Sequence, residues 1–170
     1  MNSNFKIENL SSDYFVKQFT EEDIPEIYEL AKKNETYYKY MKTKPTYENL
    51  KDVITSLPPN KTLEDKFFLG FYYNDQLIAI LDLILKYPNE NTAFIGWFMM
   101  NKKFQHKGIG TKIVTEIFSC LKENGFSYIR LGYIKGNEES KNFWIRNDFK
   151  PTGIETQDEN YTIVVLKHNL

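Results

Sequence analysis

The residues with the plainest chemical meaning are Gln105-His106-Lys107-Gly108-Ile109-Gly110, between an apolar run ending near Met100 and a strongly periodic segment. Two glycines at a strand-to-helix turn let the main chain come close to a ligand. The N–H groups of the helix's first turn, with the helix dipole behind them, attract an anion. A phosphate group is the natural guest. Lys107 and Lys112 add positive charge around it, and Gln105 can fix the loop by hydrogen bonding. Two other phosphate motifs fail at one residue: G-x-G-x-x-G and G-x-x-x-x-G-K-[ST], counted from Gly108, both require glycine where Ile113 stands. By itself Q-x-x-G-x-G is equally the pattern of an ordinary glycine turn. Its flanks must decide.

Other chemistries have little to stand on. Cys120 is the one cysteine; it falls mid-helix with no histidine near it, which reads as a buried structural thiol and not as an acyl-carrying nucleophile. His106 reads as a surface residue of the loop, and His168 is far from it in sequence, so no metal site is expected. A hydrophobic share of 41% with net charge -1 describes a globular chain without a general basic field for nucleic acid. Lys102, Lys103, Lys107 and Lys112 are the one basic cluster on which a nucleic-acid or protein-interaction reading would rest. Residues 1–6 lack a basic and apolar leader, and no window approaches the ~20 apolar residues of a membrane span. The expectation is a cytoplasmic protein without membrane or nucleic-acid partners.

The elements that must position the glycine turn follow from periodicity. Residues 14–19 read as a strand, then Thr20 caps a helix whose stripe is Ile24, Ile27, Tyr28 and Ala31. A second helix is expected over residues 46–57, ended by Pro58-Pro59. Residues 66–73 and 76–87 are dense in apolar side chains on either side of Asn74-Asp75, which predicts a hairpin. A turn at residues 88–91 leads to a third strand over 92–100. From Gly108 the period becomes helical through Ile109, Ile113, Val114, Ile117, Phe118 and Leu121, with Gly125 as the stop. A strand over 128–133, a helix over 137–146 and a strand over 161–167 complete the order. No repeat or linker divides the chain, so one domain over residues 1–170 is expected.

The flanks of the glycine turn carry a resemblance. Phe98-Met99-Met100-Asn101-Lys102-Lys103-Phe104-Gln105-His106-Lys107-Gly108-Ile109-Gly110 resembles the acetyl-coenzyme A motif of the GNAT superfamily of N-acetyltransferases, a strand running into [QR]-x-x-G-x-[GA] and a long helix. Residues 137–149, from Asn137 through Ser140, Phe143 and Trp144 to Phe149, are similar to that family's N-x-x-[AS]-x-x-[FL]-Y-x-x-x-G-F. The start of the first helix, Thr20-Glu21-Glu22-Asp23-Ile24, looks like the family's as well. The resemblance spans nearly the whole chain and is strongest over residues 92–149. It implies an α+β, three-layer fold with a central, mostly antiparallel twisted sheet flanked by helices. It implies that main-chain amides of Gln105, His106, Lys107, Gly108, Ile109, Gly110 and Thr111 bind the coenzyme's pyrophosphate. Phe98, Met99 and Met100 would pair with the pantetheine arm, an amide near Met100 would face the thioester oxygen, and Asn137 would stand beside the thioester end, with Ser140 and Phe143 lining the same site.

Two departures from the family pattern bear on mechanism. The tyrosine that often protonates the departing thiolate is Trp144 here, whose indole N–H donates a hydrogen bond but is no acid at ordinary pH. Tyr133 is the possible substitute, read otherwise as packing. The strand before the glycine turn carries no carboxylate to serve as base. Asp82, alone among Ile80, Leu81, Leu83 and Ile84, is the acidic candidate, and as a structural residue it would be an outward-facing, solvated side chain. Tyr37-Tyr38-Lys39-Tyr40-Met41 falls where relatives line the acceptor pocket, as a cradle for a cation or as a hydrophobic lid. The expected activity is acetyl transfer from acetyl-coenzyme A to a primary amine of a small molecule or protein, by direct attack in a ternary complex. The proton would leave through water or Asp82, and monomer and homodimer are both open. The alternative is a coenzyme A-binding module with reduced or no turnover.

Overall fold

A computed structural model describes residues 5–170; residues 1–4, part of the N-terminal stretch read above for a leader, lie outside the described residues. Among the described residues seven strands form one sheet in the order β1-β2-β3-β4-β5-β7-β6. They are β1 (Phe15–Gln18), β2 (Lys66–Tyr73), β3 (Gln76–Ile84), β4 (Thr92–Met100), β5 (Tyr128–Ile134), β6 (Lys150–Gln157) and β7 (Thr162–Asn169). The helices are α1 (Ile24–Ala31), α2 (Glu35–Met41), α3 (Tyr47–Thr55), α4 (Ile109–Glu123) and α5 (Glu138–Arg146). A two-residue turn joins β2 to β3 and residues 85–91 join β3 to β4, making the three an antiparallel meander. The connection from β4 to β5 contains α4, and a helical crossover returns the chain parallel, so β4 and β5 are the one parallel pair among the described strands, the rest being antiparallel.

Two apolar clusters make three layers of it. On one face Ile113, Val114, Ile117, Cys120 and Leu121 of α4 and Trp144 of α5 pack on Leu81, Leu83, Ile95 and Leu131. On the other, Ile24, Ile27, Leu30 and Ala31 of α1 and Leu50 of α3 pack on Phe68, Ile80, Trp97 and Met99. The expected fold is therefore found, with a few displaced elements. The chain at residues 35–41 forms a helix that periodicity did not reveal, because it is seven residues long and none of them is fully buried. β6 was equally hidden: it is a polar, exposed edge strand. β3 stops at Ile84, short of the expected Tyr87, and α3 stops at Thr55, before Pro58.

Two irregularities in the sheet shape the site. β4 and β5 pair only from Thr92 to Ile95 against Tyr128 to Leu131, after which β4 stays with β3 as far as Met100 and β5 stays with β7 as far as Ile134. The sheet forks there, at the carboxyl ends of its two parallel strands, where open sheets place their ligands. The second irregularity lies just at the fork. Leu83 pairs with Ile95 and Asp82 with Trp97, so Gly96 is an extra residue, a β-bulge. It breaks the alternation of β4: Ile95 faces the α4 layer, while Trp97 faces the α1 layer.

Candidate active site

The glycine turn caps the open end of the fork. Gly108 is the N-cap of α4 with φ +78°, a left-handed conformation suited to glycine, and His106 before it has φ +58°. Lys112 N–H closes the first helical bond, onto the Gly108 carbonyl. Among the described residues no protein acceptor meets the N–H groups of residues 106–111. These free donors at the positive end of a fifteen-residue helix fit a diphosphate. Gly110 is held close: a Cβ there would stand 3.2 Å from Phe143 Cε2 and 3.4 Å from Met100 Cγ. A side chain at this position would press the helix away from both the strand and α5.

Gln105 fixes the loop as expected. Its Nε2 donates to the Met100 carbonyl (3.2 Å) and to Asn34 Oδ1 (2.8 Å), and Asn34 Nδ2 donates to the same carbonyl (3.2 Å). The lysines behave differently from expectation. Lys112 is paired with Asp13, and Lys107 Nζ lies 5.9 Å above the Phe104 ring, so the backbone provides the anion site's donors while Lys107 remains as a nearby charge. His106 is exposed, with Nε2 3.8 Å from Glu139 Oε1.

Asn101 N–H bonds the Ile78 carbonyl, so in the antiparallel ladder Met99 and Trp97 direct their main chain to β3 while Met100 and Phe98 direct theirs into the fork. Met99 is thereby corrected as a coenzyme-facing residue: its backbone is engaged with β3 and its side chain belongs to the α1-side core. Phe98 stacks on Phe143 (5.8 Å between centroids, 15°), joining β4 to α5. Asn137 is buried as the N-cap of α5, its Oδ1 accepting from Ser140 N–H at 3.1 Å. Ile109 and Thr111 complete the first turn of α4.

The three candidate catalytic side chains are divided between two faces. Trp144 is 6% exposed, in edge contact with Phe98, Phe143 and Phe149, and Tyr133 packs against the same α4-side cluster. Asp82 lies on the α1 side, and it is not the solvated residue that its bland reading expected. It is 7% exposed, and Lys66 Nζ donates to its Oδ1 at 2.6 Å. Burial pushes its carboxyl above the ordinary carboxylate range, against the opposing pull of the Lys66 ammonium. Its Oδ2 points over the bulge: a Cβ on Gly96 would come within 2.5 Å of it. A carboxylate from β3 thus fills the space that a side chain on β4 would occupy.

Asp82, Gly96 and Trp97 form one side of a cavity of about 380 Å³ beside the fork. Tyr37, Tyr38 and Met41 of α2 and Leu50 and Val53 of α3 form much of the rest. Burial pushes the Tyr38 phenol up to about 12 and raises that of Tyr37 further, so both are neutral donors and not bases. Lys66, Gly96 and Asn34 are the site residues that sequence reasoning missed. A glycine inside an apolar strand is the signal that could have pointed to the bulge.

A fork between parallel strands, closed by a helix N-terminus with free donors and flanked by a second cavity, is an arrangement suited to an extended, phosphate-bearing ligand with another reactant beside it. The model of the acetyltransferase (GNAT) family matches residues 6–149, and the chain belongs to that family. Solved structures share the fold. An acetyltransferase from Thermus thermophilus is similar at a TM-score of 0.75 and 16% identity, over 92% of this chain and 97% of that one. Ard1 from Thermoplasma volcanium has a TM-score of 0.68 and 15% identity over 93% and 98% of the two chains. The PaiA N-acetyltransferase from Thermoplasma acidophilum, solved in complex with coenzyme A, has a TM-score of 0.63 and 20% identity over 91% and 99%. No curated protein matches the chain. Among the described residues no helix is long and apolar enough to cross a membrane, and no group of three or more His, Cys, Asp or Glu is arranged to hold a metal.

Proposed function

We propose that the chain is an N-acetyltransferase that moves the acetyl group of acetyl-coenzyme A to a primary amine by direct attack in a ternary complex. The observation that carries this reading is the run of unpartnered N–H groups at residues 106–111, set at the end of the fork between β4 and β5. The diphosphate is held by the turn, and the pantetheine amides find the free main-chain groups of Phe98, the Met100 carbonyl being already taken by Gln105 and Asn34. The amine enters from the α2 and α3 side as an ammonium, since an alkyl amine has a pKa near 10, and must lose a proton before it attacks. Asp82 accepts that proton through its Oδ2, directly or through water. The C–N bond then forms, with the Met100 amide facing the oxygen that gains charge; the C–S bond breaks, and the second proton of the nitrogen passes to the departing thiolate or to water. The thiolate leaves on the α5 side. With a thiol pKa of about 8.5 it leaves at neutral pH without an obligatory acid, which fits Trp144 as a packing residue, with Tyr133 as a nearby phenol.

A coenzyme-binding module without turnover has one observation in its favour, the buried Trp144 where a phenolic acid is usual. Thiol release separates the readings: amine-dependent release supports the transferase, and tight coenzyme binding with no release across a broad amine panel supports the module. For the coenzyme site, Gly108→Val is the sharper variant, because a Cβ there meets nothing within 4 Å yet the backbone has φ +78°. Calorimetry is expected to show acetyl-coenzyme A binding at least about tenfold weaker, from the ~1–2 kcal/mol strain of a branched residue in that conformation and the crowding of the N–H groups. Circular dichroism checks that the fold is kept. Unchanged affinity would overturn the assigned coenzyme site.

A further inference from the structure

The cavity beside the fork has a lining specific enough to name the class of acceptor, given the transferase reading above. Its walls are mostly aromatic and aliphatic, with Tyr37, Tyr38 and Met41 from α2, Val53 from α3, and Trp97 and Phe94 from β4, and the neutral polar side chains Thr43, Asn49 and Ser56 join them. Among the described residues Asp82 is the one carboxylate that lines it, and no lysine, arginine or histidine does. One oxygen of that carboxylate is taken by Lys66, which stands behind it with a side chain 2% exposed, while the other faces the gap above Gly96. A single half-neutralised carboxylate matches a single ammonium. A second positive charge on the acceptor would meet no second carboxylate in the lining, and a carboxylate or phosphate on it would find no cation. The volume of about 380 Å³ lies at the small end of ligand cavities and suits a compact body.

The geometry points to a primary monoamine with an uncharged, apolar or aromatic body as the acceptor, its nitrogen on Asp82 and its body between α2 and α3. The aromatic walls do two jobs in this assignment. They remove apolar surface from water, and among the described residues they offer the ammonium no charged partner other than Asp82, so the charged end is drawn to the fork.

Three amines of equal length and different far ends test it: hexylamine, hexamethylenediamine and ε-aminocaproate, with a peptide beginning in alanine as a fourth acceptor. Steady-state thiol release should give hexylamine a kcat/KM at least about tenfold above both charged analogues and above the peptide. Within the linear monoamines KM should fall about fourfold for each added methylene until the cavity is full. A carboxylate added at the exposed rim residue Ser56, in the variant Ser56→Asp, should raise kcat/KM for the diamine relative to hexylamine. Equal or better use of the diamine, the amino acid or the peptide by the unaltered protein overturns the acceptor class and leaves the transferase reading standing. Acetyl-coenzyme A binding with no transfer to any of the four also overturns the class. If calorimetry finds no acetyl-coenzyme A binding at all, it is the transferase reading that fails.

Discussion

As the proposed base, Asp82 would combine the chemistry and the cost of this site in one side chain. Its raised pKa has opposite consequences for stability and for catalysis. Because the folded carboxyl holds its proton more tightly than the unfolded one, its contribution to stability is full below the ordinary carboxylate pKa of about 4 and is lost as pH rises through the folded value. A base must be ionised, so kcat/KM should rise over that same interval, with an acid limb displaced above the ordinary carboxylate range; Lys66, Tyr37 and Tyr38 are the other ionisable groups facing it. A pH–rate profile checks this, and an acid limb at the ordinary carboxylate position would contradict it. Removing the charge alone is a poor experiment, since Asp82→Asn leaves the Lys66 ammonium buried without a partner, at about 3–5 kcal/mol. The double variant Asp82→Asn with Lys66→Met avoids that orphan; it should fold and bind acetyl-coenzyme A while losing the acid limb and most of the rate. Gly96→Ala is the gentler probe. Its φ is not left-handed, so the expected effect comes from the added methyl, 2.5 Å from Asp82 Oδ2. Turning the carboxylate aside should lower kcat by up to the ~10²–10⁴-fold of a positioned base, with coenzyme affinity unchanged in calorimetry.

At the scale of elements, what was legible in the sequence is what periodicity or a cap announces. α4 is the clearest case: its stripe from Ile113 to Leu121 is the buried face, and Gly125, with φ +86°, follows its end as expected. The meander of β2, β3 and β4 was legible from its apolar density. That same density concealed Asp82, because β3 is buried on both faces and alternation therefore assigned no direction to its one acid. Nothing local joins Asp82 to Lys66, which lies sixteen residues away and meets it only through the register of β2 on β3. β6 was illegible for the opposite reason, being an exposed strand that buries little, and α2 because it is a seven-residue helix with none of its residues fully buried. β6 also brings an unfavourable alignment. Lys167 of β7 pairs with Arg130 of β5 on one side and Lys150 of β6 on the other, so three cations lie in one row across the sheet. Like charges directly opposite destabilise a ladder, so Lys150→Glu should add about 0.2–1 kcal/mol, read as a higher denaturation midpoint at low salt and a smaller gain at high salt. No gain at low salt would mean that the row is already screened.

In the whole molecule, α4 connects the site to the core. Its first turn presents free N–H groups at the mouth of the fork, and three turns on Cys120 is buried against the sheet, its thiol pushed up to about 11 by burial. The folded protein should therefore react slowly with an alkylating reagent on two counts, since the sulfur is covered and little of it is thiolate. Labelling then reports opening of the α4 layer. If that layer opens only with the global unfolding transition, a ligand that binds the native fork must slow labelling by the full linkage factor, about 100-fold at a concentration 100 times its Kd, equivalent to ~2.7 kcal/mol. Acetyl-coenzyme A should do this and free adenosine should not, because adenosine offers no diphosphate to the turn. Labelling slowed in proportion to ligand concentration would mean that the glycine turn and the core at Cys120 open together. A rate indifferent to a ligand that calorimetry shows to be bound would mean that the end of α4 opens alone, and that the fork and the core it leans on are separate cooperative units.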